Sequence, residues 1–342
     1  MMPLVIRADA SPEIGTGHVM RCLALAEAWQ DNGGDVVFVS TFDSPALGAR
    51  MKNEGIKIIH ISPVAGSSGD ADETARIAFS IGAKWIVVDG YSFDADYQKR
   101  IKDSGLSLLF LDDYGHADHY YADIVLNQNM SACMSLYGQH EPYTRFALGT
   151  RYALLRKEFL VWSGWRRDHK EVARKILITL GGSDPANVTL KVIEAVKEID
   201  VSDLEVTVVV GGANQNFDRL CEAVNDQAGF RLIKNAENMP ELMAWADIAI
   251  SAGGSTCWEL AFMGLPSCII ALAENQRKSS ESLFAGKITE YAGWFEDVTH
   301  EDLVLKITAL LFDKKNRSIL CHNARLLTDG NGARKIIQQM NA

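Results

Sequence analysis

The sequence has few of the features that mark secreted, membrane-spanning or nucleic-acid-binding proteins. It holds only six cysteines among 342 residues; they are scattered and form no C-x-x-C pair, which favours buried free thiols over disulfides or metal ligands. No run of about 18 apolar residues is long enough to cross a membrane. The opening stretch MMPLVIRADA becomes charged after a few apolar residues, which indicates a short strand rather than a signal peptide. We therefore expect a cytoplasmic protein without a membrane span.

Positive charge is also scarce. The chain has 34 basic and 44 acidic side chains and a formal net charge of -10, with no cluster of lysines and arginines. This argues against a protein that follows the phosphates of a nucleic acid. A small phosphorylated ligand remains compatible, because a helix N-terminus or an amide-lined loop binds phosphate without net positive charge.

The chain does contain a regular alternation of strands and helices. Its 47% hydrophobic and 23% charged residues are typical of a globular protein, and its length predicts about two domains. Apolar strands alternate with helices before residue 114 and again from residue 175. Residues 137–170 do not show this alternation, which indicates a connecting region between two halves. The pattern predicts an α/β fold with two doubly wound parallel sheets. We place the domains at 1–150 and 151–342, with an approximate boundary and the option that the final helix packs back on the first domain.

Ligands bind at the carboxyl ends of the strands in such sheets, and a glycine loop opens the first helix at one of these ends. The loop is Gly15-Thr16-Gly17-His18. A helix start disfavours a charged imidazole, and a neutral imidazole beside a water is what a general base requires. An ordinary helix start with a half-buried histidine explains the same residues, so the motif alone leaves both interpretations open.

Two further glycine loops follow strands in the second half. Gly181-Gly182-Ser183 precedes a helix and could cradle a phosphate, although it is neither a Walker A loop nor a G-x-G-x-x-G motif. Gly253-Gly254-Ser255-Thr256 also precedes a helix, and Glu259 lies about one turn into that helix, where a carboxylate can accept the hydroxyls of a ribose. A plain turn and a helix-capping acid are the alternative explanations.

Acidic residues and histidines end the strands of the first half. Asp112, Asp113, His116 and His119 together resemble a divalent metal site, but their spacing is no known ligand signature and we expect their loop to be exposed, so a metal is not predicted. Asp9, Asp89 and Tyr91 also follow strands. They are candidates for substrate contacts or, equally, for buried or capping roles.

Two stretches of the sequence resemble known protein families. The stretch ADASPEIGTGHVMRCLALAEAW is similar to the N-terminal signature of the pseudaminic-acid pathway hydrolases (PseG type), and ENMPELMAWADIAISAGGSTCWELAFMGLPSCII is similar to the UDP-binding half of MurG-type glycosyltransferases. The resemblance runs from about residue 4 to residue 340. It implies the GT-B fold, in which two Rossmann-like domains face a central cleft and the C-terminal domain holds the nucleotide.

The resemblance also implies a site and an activity. The catalytic base is His18, and no cofactor and no metal are needed. Substrate contacts are implied for Gly15, Gly17, Arg21, Asp9, Tyr91, Asn275 and Gln276. UDP contacts are implied for Gly181, Gly182, Ser183, Met239, Gly254, Ser255, Thr256 and Glu259. The implied reaction is hydrolysis of UDP-2,4-diacetamido-2,4,6-trideoxy-β-L-altropyranose to the free sugar and UDP.

The sequence of the first glycine loop distinguishes this chain from the MurG-type family. MurG-type enzymes carry a Gly-Gly-His turn, whereas this chain has Gly-Thr-Gly-His, and Arg21 fits the hydrolase pattern better. The partners expected are a UDP-sugar substrate and its UDP product, with no nucleic acid, and the chain is expected to act as a monomer. A glycosyltransferase with another acceptor and a non-catalytic nucleotide-sugar-binding protein remain the alternatives.

Overall fold

A computed structural model describes residues 2–11, 15–41, 45–212 and 214–342 of the chain. The described residues divide into two compact units, one formed by residues 2–11, the described part of 18–157, and 330–342, and the other by 15–17 and the described part of 158–329. Residues 151–157 and the final helix lie in the first unit. The sequence placed residues 151–157 in the second domain with an approximate boundary and left open that the final helix packs on the first domain. Ala153 and Leu154 explain the difference, because both are buried and Leu154 belongs to a core of the first unit.

The described part of the first unit contains one parallel sheet of seven strands in the order β3-β2-β1-β4-β5-β6-β7. The strands are β1 (Leu4–Ala8), β2 (Val36–Ser40), β3 (Lys57–His60), β4 (Trp85–Asp89), β5 (Ser107–Leu111), β6 (Ile124–Asn127) and β7 (Arg145–Leu148). The helices are α1 (Gly17–Asp31), α2 (Pro45–Asn53), α3 (Ser68–Ser80), α4 (Ala95–Asp103) and, from the end of the chain, α13 (Gly332–Met340).

The first sheet is covered by apolar side chains on both faces. Along β1, Leu4, Ile6 and Ala8 belong to one core and Val5 to another, as the alternation of side chains along a strand requires. Arg7 lies on the same face as Val5 and is fully buried. Its charge is compensated by a salt bridge of 2.8 Å to Asp70 on α3, since a buried charge is tolerated only when it is paired.

The second unit contains a parallel sheet of six strands in the order β10-β9-β8-β11-β12-β13. The strands are β8 (Lys175–Thr179), β9 (Glu205–Val210), β10 (Phe230–Lys234), β11 (Ile248–Ala252), β12 (Ser267–Ala271) and β13 (Glu290–Trp294). A short helix, α5 (Lys157–Leu160), links the units. The other helices are α6 (Val188–Lys197), α7 (Phe217–Val224), α8 (Met239–Trp245), α9 (Thr256–Phe262), α10 (Glu274–Ala285), α11 (His300–Phe312) and α12 (Lys314–Arg325).

The expected doubly wound α/β architecture is confirmed, with one sheet in each unit. Strands β6, β7, β10 and β13 were not predicted from the sequence; β6 lies inside the first sheet, whereas β7, β10 and β13 lie at the edges of the two sheets. Edge strands bury less surface than central ones, and most residues of these three are only partly buried or exposed. None of the helices in the described ranges is long and apolar enough to cross a membrane.

Candidate active site

The N-terminal turn of α1 brings His18 to the carboxyl end of the first sheet. His18 is the second residue of the helix, and its Nδ1 lies 2.7 Å from Oδ1 of Asp89, the last residue of β4. Because β1 and β4 are neighbours in the sheet, the helix that follows β1 starts close to the end of β4. The side chain of Asp89 is fully buried and that of His18 is 9% exposed.

The state of Asp89 determines the tautomer of His18. Burial alone would raise the pKa of the Asp89 carboxyl, but the positive charge of Arg21 and the contact with His18 outweigh it and hold the pKa well below its ordinary value. Asp89 is therefore ionised and can only accept hydrogen bonds. His18 must donate from Nδ1, which leaves the lone pair of the neutral ring on Nε2.

Arg21 fixes Asp89 from one turn further along α1. Its Nε donates to Oδ2 of Asp89 and its Nη2 donates to Oδ1, both at 2.6 Å. Residues three positions apart share one face of a helix, so His18 and Arg21 reach the same carboxylate. The third nitrogen of the guanidinium, Nη1, donates to Oδ1 of Asp113 at 2.6 Å. Arg21 is thus held by two carboxylates from the ends of two neighbouring strands.

Tyr91 connects Asp113 with His18. Its hydroxyl donates to Oδ2 of Asp113 at 2.5 Å, and its ring stands edge-on to the imidazole of His18, with 4.8 Å between the ring centroids. Burial and the nearby charge of Asp113 raise the pKa of Tyr91, so the phenol keeps its proton. Asn129 donates from Nδ2 to the same carboxylate of Asp113 at 3.1 Å.

Asp112 shapes the loop that carries Asp113. Its Oδ1 accepts hydrogen bonds from the backbone N–H groups of Asp113, Tyr114 and Gly115, and its Oδ2 accepts from the hydroxyl of Tyr120 at 2.6 Å. The expectation of an exposed loop is wrong for Asp112, which is 1% exposed, because its carboxylate replaces water as the partner of the turn.

The two histidines of this segment have separate partners. His116 Nδ1 lies 3.2 Å from Asp112 Oδ1, and His119 Nε2 lies 3.0 Å from Glu141 Oε1. Burial lowers the pKa of His116, but its contacts with Asp112 outweigh burial and raise it above the ordinary value. Within the described residues, no group of three or more histidine, cysteine, aspartate or glutamate side chains is arranged to hold a metal ion.

Asp9 directly follows β1 in sequence, and the first glycine loop leads into α1. Asp9 forms a salt bridge of 2.8 Å with Arg7 and accepts hydrogen bonds from Ser40 Oγ and the backbone N–H of Thr41, so both of its carboxylate oxygens have intramolecular partners. Gly15 has a φ of 72°, a conformation that favours glycine. Gly17 is the first residue of α1.

The glycine loop after β8 continues into a well-capped helix. Gly181 has a φ of 93°, and Gly182 and Ser183 are half-buried. Asp184 accepts hydrogen bonds from the backbone N–H groups of Val188 and Thr189 at the start of α6. A plain capping role thus explains Asp184, while the loop before it stays part of the predicted phosphate site.

Gln276 fixes the glycine loop after β11. Its Oε1 accepts hydrogen bonds from the backbone N–H groups of Gly253 and Leu272, which ties the ends of β11 and β12 together. A Cβ on Gly253 would lie 2.4 Å from Ser280 Oγ, whereas one on Gly254 would meet only Gln276 Nε2 at 3.9 Å. The loop therefore packs tightly on one side and has room on the other.

The remaining predicted residues of the second unit lie on the helices that follow its strands. Met239 is the first residue of α8 and is buried. Ser255 precedes α9, which starts at Thr256 and carries Glu259 in its first turn. Asn275 is the second residue of α10. Ser255, Thr256, Glu259 and Asn275 are half-buried.

The site side chains that the sequence predicted in the first half of the chain fall into two separate clusters in the structure. His18, Arg21 and Tyr91 form one network with Asp89 and Asp113, and Asp9 belongs to a separate cluster around Arg7. Asn129 was missed, because an asparagine after a strand has no distinguishing sequence signal. The pairing of His18 with Asp89 was also missed, although both residues stood at strand or helix ends in the predicted sheet.

A family model and several known proteins match this chain. Residues 176–340 match the model described as the glycosyltransferase family 28 C-terminal domain. The chain is 29% identical to the uncharacterized protein MJ1062 of Methanocaldococcus jannaschii over 88% of this chain and 63% of that protein. It is 26% identical to the spore coat polysaccharide biosynthesis protein SpsG of Bacillus subtilis, over 97% of this chain and 95% of that protein.

The name of another relative states an enzymatic activity. The UDP-2,4-diacetamido-2,4,6-trideoxy-β-L-altropyranose hydrolase of Campylobacter jejuni is 24% identical to the chain over 82% of this chain and 95% of that protein. Among solved structures, MurG of Acinetobacter baumannii matches with a TM-score of 0.66 and 16% identity, over 100% of this chain and 99% of that one. MnaA of S. aureus, solved with UDP, matches with a TM-score of 0.70 and 10% identity, over 99% and 96% of the two chains. The chain therefore has the GT-B fold.

Proposed function

We propose that this protein hydrolyses a UDP-linked sugar, with His18 as the general base. The observation that carries the proposal is the pair of His18 and Asp89, joined by a hydrogen bond of 2.7 Å at the carboxyl end of the first sheet. The pair leaves Nε2 of His18 as the basic atom, and this nitrogen makes no hydrogen bond within the described residues. The C. jejuni hydrolase, which is similar over most of its length, supports the choice of reaction.

The reaction proceeds by attack of water at the anomeric carbon. Nε2 of His18 takes a proton from the water as its oxygen bonds to C1, and the C1–O bond breaks with its electron pair remaining on UDP. The imidazolium that forms is stabilised by the ionised carboxylate of Asp89. Arg21 and Tyr91 hold this pair in place and are candidates to contact the sugar.

The departing diphosphate needs groups that accept its charge. We propose that the amides of Gly181, Gly182 and Gly254 and the hydroxyls of Ser183, Ser255 and Thr256 provide them, because loops before helix N-termini present free N–H groups to anions. Glu259 would accept the ribose hydroxyls and the backbone at Met239 would contact the uracil. Asn275 and the Nε2 group of Gln276 are candidates to contact the phosphate or the sugar.

We further propose UDP-2,4-diacetamido-2,4,6-trideoxy-β-L-altropyranose as the substrate. The named activity of the C. jejuni relative supports this sugar. A glycosyltransferase is the second candidate, because residues 176–340 match a glycosyltransferase family model. A transferase needs an acceptor other than water, which gives a direct way to separate the two reactions.

The test is release of UDP from this UDP-sugar by the purified protein without any acceptor. We expect release, and in water labelled with heavy oxygen we expect the label in the sugar and none in UDP. His18→Asn should still bind UDP, measured by calorimetry, and should lose at least about 100-fold in kcat, the contribution of a general base. Absence of release without an acceptor, with release when an acceptor lipid or sugar is added, would establish the transferase instead.

A further inference from the structure

Asp113 is linked to the pair of His18 and Asp89 through Arg21, and it has no role in the proposed reaction. Its carboxylate accepts Nη1 of Arg21 at 2.6 Å and the hydroxyl of Tyr91 at 2.5 Å. Its side chain is only 9% exposed. A carboxylate this buried is unfavourable unless it compensates a charge, and the charge it compensates is that of Arg21.

Arg21 connects Asp113 with His18. Nη2 of Arg21 lies 3.3 Å from Nδ1 of His18, and both nitrogens donate to the same oxygen of Asp89. The guanidinium therefore competes with the imidazole for Asp89 and, as a neighbouring cation, opposes protonation of the ring. Any group that neutralises Arg21 weakens this opposition.

A count of the charges shows in which direction Asp113 influences the protonation of His18. With a neutral His18, the two carboxylates and the guanidinium carry a net charge of -1, and protonation of His18 brings the network to zero. Without the charge of Asp113, the network would start at zero and protonation would leave it with an unpaired positive charge. Protonation of His18 is therefore easier with Asp113 than without it.

We propose that Asp113 is a positioning residue that sets the basicity of His18 by sharing Arg21 with Asp89. Asp113 does not touch the reacting atoms; it acts through Arg21 and through the position of Tyr91. The proposal rests on the proposed function for its relevance to catalysis, but the coupling between Asp113 and His18 is a property of the unliganded protein.

Other titratable groups surround His18 within the first unit. Asp89, Arg21 and Tyr91 contact it directly. Cys22 contacts Asp89, and Tyr114 and His116 pack on the ring of Tyr91. Despite burial, the contacts of His116 with Asp112 raise its pKa above the ordinary value, so an experiment must distinguish its signal from that of His18.

The experiment is an NMR titration of the histidine rings in nitrogen-15-labelled protein without substrate. The chain has eight histidines, and the signal lost in His18→Asn identifies that of His18. In Asp113→Asn we expect the titration midpoint of His18 to move to lower pH by about 0.5 to 1 unit, the size of a partly screened charge effect at close range. Asp113→Glu, which keeps the charge, should stay closer to the wild type.

A matched control and a kinetic readout complete the test. Asp72→Asn makes the same chemical change at a surface carboxylate paired with Arg100 and should leave the midpoint unchanged. The acid limb of the kcat/KM profile for UDP release should move with the midpoint in Asp113→Asn. If Asp113→Asn does not fold, Asp113→Ser, which is smaller and leaves room for water, should give the same direction.

An unchanged or raised midpoint in a folded neutral variant would overturn the proposal and leave Asp113 a purely structural residue. This failure is distinguishable from failure of the proposed function. If the wild type releases no UDP, the hydrolase assignment falls, while the titration in the absence of substrate still decides the role of Asp113.

Discussion

Replacement of Asp89 by asparagine tests the centre of the proposed site. The carboxylate oxygen Oδ1 accepts from His18 and Arg21 Nη2, and Oδ2 accepts from Arg21 Nε, all within 2.6–2.7 Å. An asparagine has one oxygen and one NH2 group in their place. If its oxygen occupies the position of Oδ1, the NH2 group meets the N–H of Arg21 Nε, and two donors then face each other.

The opposite orientation of the asparagine is also unfavourable. The NH2 group then faces Nδ1 of His18, which can accept only if the ring carries its proton on Nε2. The atom that should take the proton from water is then blocked. Loss of one partner from a buried ion pair costs about 3–5 kcal/mol. Loss of the correct tautomer lowers kcat by about 10⁴-fold in a comparable histidine–aspartate pair, equivalent to about 5.5 kcal/mol of activation free energy.

Two measurements check these magnitudes for Asp89→Asn. Denaturant unfolding gives the free energy of unfolding, and UDP release at saturating substrate gives kcat on folded protein. Asp72→Asn, an exposed change of the same kind, should leave both close to the wild type. A folded Asp89→Asn variant with wild-type kcat would refute the tautomer argument, and unchanged stability would refute the argument from buried charge.

The stability deficit of Asp89→Asn should also depend on pH. The pKa of Asp89 is held below its ordinary value in the folded protein, so its contribution is present above the unfolded pKa of about 3.9 and is lost as the pH falls toward the folded pKa. The difference in unfolding free energy between wild type and variant should therefore shrink below about pH 4. A deficit that stays constant down to pH 2 would contradict the charge-based explanation.

Two further predictions concern packing and pH. Gly253→Ala places a Cβ 2.4 Å from Ser280 Oγ and should lower the free energy of unfolding by about 1–3 kcal/mol; Gly254→Ala, which has room, should cost less in the same denaturant assay. Burial raises the pKa of Glu27 to about 6, although the backbone N–H of Lys157 donates to it at 2.6 Å. The contribution of Glu27 to stability should therefore fall by about 2 kcal/mol as the pH rises from 4.5 to 7, so the wild type should lose that much more stability than Glu27→Gln over this range; equal slopes for the two proteins would refute this.

Most central strands of both sheets could be predicted from the sequence because they are buried on both faces; the four-residue strand β6 (Ile124–Asn127), also buried throughout, was missed. Trp85–Asp89 and Ile248–Ala252 are apolar over almost their whole length, and continuous apolar runs are typical of parallel strands. The edge strand Glu290–Trp294 is half-buried throughout, so its sequence lacks such a run. Edge position weakens this signal without always removing it, since the edge strand β3 (Lys57–His60) was predicted although it is only partly buried.

The site could be predicted only in part, for a related reason. His18 stood out because two glycines and a helix start lie beside it in sequence. Its partner Asp89 could be identified only as a residue at the end of a strand. The pairing of the two residues depends on β1 and β4 being neighbours in the sheet, which the sequence does not show. Asp9, also at a strand end, instead pairs with Arg7. Position at a strand end therefore identifies candidates, whereas the order of strands and the neighbouring charges decide their partners.

The network around Arg21 also makes catalysis dependent on late steps of folding. His18 and Asp89 are 71 positions apart, and Arg21 and Asp113 are 92 positions apart. Contacts over such separations form slowly, because the entropic cost of closing a long loop opposes them. A nascent chain that ends before residue 107 would carry the histidine and its aspartate but not the second carboxylate on Arg21. Recovery of activity during refolding should consequently lag behind recovery of helix content, and it should report completion of the whole first unit.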